Sequence, residues 1–201
     1  MAVKKHVPLK KIAKSVDATL PGSPPPTSTA LVAAAGEHYV LYRLFRRGLL
    51  AALAPRNEPN FDVIVFGKRT AVVATIQVKA RTRGADGGWM MRRKHEDLND
   101  DGLFYAFVDL EKPDAVVTYV LPSAVVATTL RRTHADWLKA PGRAGQPHND
   151  SDMRRVRPAY RESSAAFQTG WLDQWRERWD LLENYKPQHR RKQPAQEGKA
   201  T

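Results

Sequence analysis

The sequence has no cysteine and no long hydrophobic run, and its acidic residues are too few to balance the basic ones. The absence of Cys among 201 residues excludes disulfides, a thiol nucleophile and a thiolate zinc site. No stretch approaches membrane-spanning length, and the basic segments lack the apolar face that would favour a membrane surface. With 33 Lys and Arg against 21 Asp and Glu, the net charge of +12 favours nucleic acid as partner.

Composition also predicts how the chain is divided. Residues 1–29 are rich in Lys and Pro and predict a disordered basic arm, either without function or in contact with DNA. Residues 30–185 have the length of a single domain, and 186–201 predict a second disordered basic tail. The N-terminus carries lysines but no hydrophobic signal segment, so we expect a cytoplasmic protein.

Two β-branched stretches, 60–66 and 71–81, predict a hairpin with a short polar turn between them. If the four turn residues are unpaired, Asp62 lies opposite Thr75. Alternation along the strands then brings Asp62, Gln77 and Lys79 to one face. Taken alone, Lys79 would be a strand-end lysine directed to solvent. Together the three side chains predict a polar site at one end of a buried strand.

The order Asp62, turn, Gln77-x-Lys79 resembles the PD-(D/E)xK nuclease superfamily, in the variant that has Gln for Glu. It is similar to Mrr-type restriction endonucleases and archaeal Holliday-junction resolvases over about residues 30–121. The resemblance implies an α/β, restriction-endonuclease-like core, with a mixed β-sheet flanked by helices. These families also place a Glu on the helix before the first strand, which here is Glu37. By itself, Glu37 would be assigned to a solvated helix face.

The resemblance further implies a magnesium-dependent DNA endonuclease acting in defence, recombination or repair. Asp62, Glu37, the Gln77 side-chain oxygen and the Val78 carbonyl would hold Mg²⁺, for which Mn²⁺ can substitute. Lys79 would orient or deprotonate water or stabilise charge on the phosphate. The alternative is a catalytically inactive DNA-binding module of the same fold.

A basic stretch follows this strand and predicts a surface that contacts DNA phosphates. Residues 81–88 are either a substrate loop or an ordinary mobile loop. The predicted nucleic-acid-binding residues are Arg81, Arg83, Arg92, Arg93, Lys94 and His95.

The other apolar stretches complete the predicted core. Helices are predicted over 30–47 and 123–140, and the four remaining strands over 49–54, 89–92, 103–110 and 116–121. Residues 143–164 are polar and predict a surface loop. An additional C-terminal helix over 165–185 would align Trp171, Trp175 and Trp179 in one stripe. That stripe is interpreted as core packing, with a homodimer contact or a protein-interaction scaffold as the weaker alternatives.

Overall fold

A mixed five-stranded sheet organises the part of the chain that the structure, a computed structural model, describes: residues 28–56, 58–67, 71–82, 87–161 and 165–187. Its strand order is β1-β2-β3-β5-β6, in which β3 and β5 are parallel and every other pair is antiparallel. These strands are Leu50–Leu53 (β1), Val63–Phe66 (β2), Val72–Arg81 (β3), Leu103–Asp109 (β5) and Val117–Pro122 (β6).

Two further strands form a separate antiparallel ribbon, Trp89–Arg92 (β4) with Met153–Val156 (β7). The helices are Thr29–Phe45 (α1), Ser123–Lys139 (α2) and Asp180–Glu183 (α3), and a 3₁₀ turn, Arg93–Glu96, directly follows β4. Within these described ranges, no helix is long and apolar enough to cross a membrane.

Helices cover both faces of the large sheet, as predicted. On one face, Val40 and Leu44 of α1 pack with Val63, Ile76 and other buried residues of the first core cluster. On the other, Val126 and Leu130 of α2 pack with a second cluster that contains Tyr105 and Phe107. The central strand β5 contributes to both clusters and is buried along Leu103–Val108, which explains its continuous apolar sequence.

Helix α1 approaches the sheet closely because Gly36 has no side chain. A Cβ atom at position 36 would lie 2.5 Å from the Cβ of Ala80 on β3. The helix therefore passes directly over the strand, with Glu37 next in sequence beside the strand edge. Phe45, the last residue of this helix, is 52% exposed.

The long C-terminal helix predicted over 165–185 is wrong. Gly170 has φ of 90° and Glu177 has φ of 55°, and the chain forms the 3₁₀ turns Ala165–Phe167 and Asp173–Trp175 before the four-residue helix α3. Trp171 and Trp179 accordingly lie in different core clusters. The tryptophan stripe does not exist, so the scaffold and dimer interpretations that used it lose their basis.

The close approach at Gly36 provides a test of the packing that positions Glu37. We expect Gly36→Ala to lower the free energy of unfolding by about 1–3 kcal/mol, because the added methyl group overlaps Ala80. Adding Ala80→Gly should recover part of that loss, and denaturant unfolding of the two single variants and the double variant measures the coupling. Strictly additive effects would contradict the contact.

Candidate active site

The candidate site lies where β3 continues beyond its pairing with β2. The register of the two strands ends at the Val63–Ile76 pair, whereas β3 runs on to Arg81. At this open edge the Val78 N–H donates to Asp62 Oδ2 over 2.7 Å, and Gln77 Nε2 donates to the same oxygen. A carboxylate thus replaces the missing strand and is fixed by both backbone and side chain.

The register differs from the predicted one by two residues. Phe66 pairs with Val72 instead of with residue 71, and a bulge then leaves Val65 opposite Ala74. Thr75 therefore faces Ile64, and the predicted Asp62–Thr75 pair is wrong. A shift of one residue would have moved Asp62 to the other face of the sheet, but a shift of two restores the original face. Asp62 consequently still meets Gln77.

Lys79 and Glu37 lie within electrostatic reach of Asp62. Burial lowers the pKa of the Lys79 ammonium, although Asp62 and, more weakly, Glu37 oppose this shift. Burial raises the pKa of Asp62 and of Glu37, and the negative charge of Asp62 raises that of Glu37 further. All three shifts disfavour the charged forms, so keeping these groups charged in the folded protein carries a free-energy cost.

A buried pair lies beside the site on the face of the sheet that carries α2. His95 is 2% exposed, and its Nδ1 is 2.8 Å from the hydroxyl of Tyr105, which is the β5 partner of Gln77. Burial, reinforced by the charges of Lys79 and Lys94, lowers the pKa of His95 to about 4. The prediction that His95 contacts DNA phosphates is wrong, because this imidazole is buried and neutral.

The other predicted DNA-binding residues have different surroundings. Arg81 stacks on Trp89 and donates to Asp109 from Nη2 at 2.6 Å and from Nε at 3.1 Å, so it has a structural role. Arg83 lies outside the described residues. Arg92 and Arg93 are exposed and pair with Asp152 and Asp150.

Arg92 and Lys94 are close enough to Lys79 to lower its pKa, which places this basic surface next to the site. Lys94 also donates to the Pro59 carbonyl, in the loop before Asp62. Exposed ion pairs such as Arg92–Asp152 contribute little free energy, so a phosphate can compete for the arginine.

Oxygen atoms of two carboxyl groups and of the backbone lie at or near this edge. Asp62 and Glu37 supply two carboxylates, and Gln77 supplies an amide that is 5% exposed. The N–H and C=O of one strand residue point to the same side, so the Val78 carbonyl also faces the open edge. Oxygen donors of this kind suit Mg²⁺. In the part of the chain that the structure describes, no group of three or more His, Asp or Glu residues has the spacing of a metal site.

Several residues of this region escaped the sequence analysis. Tyr105 was assigned only to a buried strand, and its contact with His95 depends on the alignment of β5 with β3. Strand β7 lies in the stretch predicted as a surface loop. Neither Met-Arg-Arg-Val nor Trp-Met-Met-Arg of β4 alternates apolar with polar residues, and β7 buries Arg154 while it exposes Met153, so the sequence carries no signal for this ribbon.

Comparison with known proteins gives little further information. No protein-family profile matches the chain, and no curated protein matches it. Among solved structures, a bacterial homing endonuclease, I-Ssp6803I, aligns with a TM-score of 0.42 and 15% sequence identity, covering 77% of this chain and 91% of its own. A similarity this low assigns neither family nor function.

The pKa shifts predict that the site charges destabilise the fold. Asp62→Asn should raise the free energy of unfolding at neutral pH, and Tm with it, because the amide still accepts from Val78 without burying a charge. The matched control is Asp109→Asn, which breaks the half-buried pair with Arg81 and should cost about 2 kcal/mol. Thermal unfolding measures both, and equal losses would contradict the assignment of Asp62 to a strained site.

Buried His95 predicts a pH dependence of stability. Its folded pKa of about 4 lies below the unfolded value of 6.5, so the unfolded chain binds a proton first as pH falls. The stabilisation is complete above pH 6.5 and should decline by about 2 kcal/mol by pH 5. Urea unfolding at pH 7.5 and pH 5 should give a smaller difference for His95→Asn than for the wild type. Equal differences would mean that His95 does not titrate in this way.

Proposed function

We propose that this chain is a metal-dependent DNA endonuclease that hydrolyses phosphodiester bonds at the open edge of β3. The observation that carries the proposal is the Asp62 carboxylate, bound by Val78 N–H and Gln77 with Lys79 and Glu37 in electrostatic reach. Buried charged groups without a structural pairing are typical of functional sites, because their cost has to be offset by another benefit. The arrangement agrees with the resemblance of Asp62 and Gln77-x-Lys79 to PD-(D/E)xK nucleases.

Each residue has a distinct proposed role. Asp62 is the main anionic ligand and binds through Oδ1, because both of the hydrogen bonds described above go to Oδ2. Glu37 is the second carboxylate, and the Val78 carbonyl is a neutral ligand. The amide of Gln77 directs Nε2 towards Asp62, so its oxygen becomes available as a ligand only after rotation of the amide. A divalent cation, Mg²⁺ or Mn²⁺, supplies when bound the positive charge that polarises phosphate and lowers the pKa of water.

Lys79 is proposed to act on the attacking water or on the phosphate oxygens. Burial lowers the pKa of its amine, which increases the neutral fraction that can accept a proton. In its protonated form the same group stabilises the negative charge that develops on phosphorus oxygens in the transition state. Both roles require Lys79 at the site edge beside Asp62.

DNA is the proposed substrate because of charge. The net charge of +12 favours a polyanion, and Arg92, Arg93 and Lys94 lie beside the site. Defence, recombination and repair all use DNA endonucleases. We propose that this chain acts in one of these processes.

An inactive DNA-binding module is the second candidate. The specific observation in its favour is Gln77, which takes the position of a metal-binding carboxylate in the family and donates a hydrogen bond to Asp62. A Gln in place of Glu removes one negative charge from the site. Its hydrogen bond also occupies Oδ2 of Asp62. The basic surface is the same under both candidates, so only cleavage separates them.

Cleavage assays on supercoiled plasmid, linear duplex and a four-way junction, each with Mg²⁺, Mn²⁺ or chelator, test the proposal. We expect metal-dependent cleavage of at least one substrate, with a loss of about 100-fold or more for Lys79→Ala and for Asp62→Asn, because these groups act in the transition state. Binding of DNA measured in chelator should change little in either variant. Lys139→Ala, at the exposed end of α2, is the matched control and should cleave as the wild type does.

The results separate the two candidates. Tight binding without cleavage in either metal, with cleavage gained by Gln77→Glu, would favour the inactive module. Unchanged cleavage by Lys79→Ala would place the active site elsewhere.

A further inference from the structure

The β4–β7 ribbon has one buried and one exposed face. Burial alternates along both strands, with Trp89, Met91, Arg154 and Val156 facing inward. The outer face carries Met90 opposite Arg155, and Arg92 opposite Met153. The two methionines lie on one diagonal of this face and the two arginines on the other, and the two outward positions of each strand are about 7 Å apart along the strand.

The inner face fixes the ribbon to the body of the protein. Trp89 Nε1 donates to the Val108 carbonyl over 3.1 Å, and its ring packs against Phe107 at 5.3 Å between centroids. Arg81 stacks on the same indole at 4.0 Å. Arg154, at the other strand, is buried and paired with Glu96. A ribbon anchored at both strands presents its outer side chains in a fixed arrangement.

The outer face is unusual for a surface with no binding role. Met90 is 61% exposed and Met153 is 48% exposed, although a methionine side chain gains free energy when it is buried. Arg92 has 74% of its side chain exposed, and Arg155 lies diagonally across the ribbon from it, with Nη2 3.5 Å from Met153 Sδ. Exposed methionines beside the exposed Arg92 and the half-buried Arg155 suit a polyanion that also offers apolar contacts.

The ribbon is also placed next to the candidate site. Arg81, at the end of β3, stacks on Trp89 at the start of β4, with its guanidinium carbon 4.0 Å from the ring centroid. Lys94, in the 3₁₀ turn directly after β4, donates to the Pro59 carbonyl in the loop before Asp62. The ribbon therefore packs at the end of β3 that carries Lys79 and close to the loop that precedes Asp62.

We propose that the outer face of the β4–β7 ribbon enters the major groove of B-form DNA and contacts base edges. This inference rests on the proposed function to the extent that DNA is the substrate. The major groove admits a two-stranded antiparallel ribbon, whereas the minor groove is too narrow. Arg92 and Arg155 match the acceptor pair of guanine, and Met90 and Met153 match thymine methyl groups. A-form RNA is excluded by shape, because its major groove is deep and narrow.

The test measures binding of the full chain, in chelator, to three duplexes of one mixed sequence. The first is plain DNA, the second is DNA whose cytosines carry glucosylated 5-hydroxymethyl groups that fill the major groove, and the third is RNA. The wild type should bind plain DNA about 10-fold or more tightly than the blocked duplex, since the added groups prevent contacts to the base edges. Duplex RNA should bind more weakly than plain DNA.

Two ribbon variants and two matched controls locate the contact. Met90→Ala/Met153→Ala removes no charge, and Arg155→Ala removes one; both should weaken binding to plain DNA and reduce the preference over blocked DNA. The controls are Tyr42→Ala/Phe45→Ala on α1 and Arg46→Ala directly after it, exposed positions at the opposite face of the sheet. They should keep the wild-type preference.

Each alternative result overturns the inference. Equal binding of plain and blocked DNA, or ribbon variants with the wild-type preference, would remove the ribbon from the major groove. Tighter binding to RNA that depends on the same variants would make RNA the occupant. If these failures occur while Lys79-dependent cleavage persists, only the ribbon inference is lost. Failure to bind any duplex would remove the proposed function as well.

Discussion

The open edge of β3 is the constraint on which the site depends. Strand β2 pairs with β3 only as far as the Val63–Ile76 pair, and the buried edge beyond it still requires hydrogen-bond acceptors. The backbone N–H of Asp62 donates to the Ile76 carbonyl over 2.8 Å, and the Asp62 side chain accepts a hydrogen bond from the Val78 N–H. One residue therefore ends the strand pairing and places a carboxylate at the sheet edge. The backbone geometry and the chemistry of the site have the same origin.

The charges at this edge are costly for the fold, and other contacts offset that cost. Glu177 accepts from Thr118 N–H at 3.0 Å and from Trp179 Nε1 at 2.9 Å, and it also pairs with Arg43 of α1. This residue holds the C-terminal segment against both β6 and α1, in a left-handed conformation (φ 55°) that a non-glycine residue adopts only when its surroundings enforce it. The Glu177 carboxylate is thus paired with Arg43 and hydrogen-bonded. By contrast, contacts in the fold do not fully offset the cost of burying the charges of Asp62, Glu37 and Lys79.

The site and the ribbon divide the proposed work between two surfaces with different chemistry. At the sheet edge the groups are partly buried and few, which suits interactions that strengthen as charge develops on a phosphate. On the outer face of the ribbon, methionines and arginines lie side by side and most of them are exposed, which suits contacts to bound DNA before any reaction. Arg92 and Lys94 join the two surfaces, because both lie close enough to Lys79 to affect its ionisation.

The sequence by itself determined six of the seven described strands, the two long helices and the shared face of Gln77 and Lys79, because these follow from the period of apolar residues along the chain. It placed Asp62 on that face with the wrong register, which a shift of two residues left without effect. It failed at residues 165–185, where tryptophans at helical spacing pack into two different clusters and Gly170 and Glu177 interrupt the helix. The bulge between β2 and β3, the burial of His95 beside Tyr105 and the pairing of β4 with β7 were decided only by the tertiary structure. Each of these features depends on contacts between segments that are distant in sequence, and a local sequence pattern does not predict such contacts.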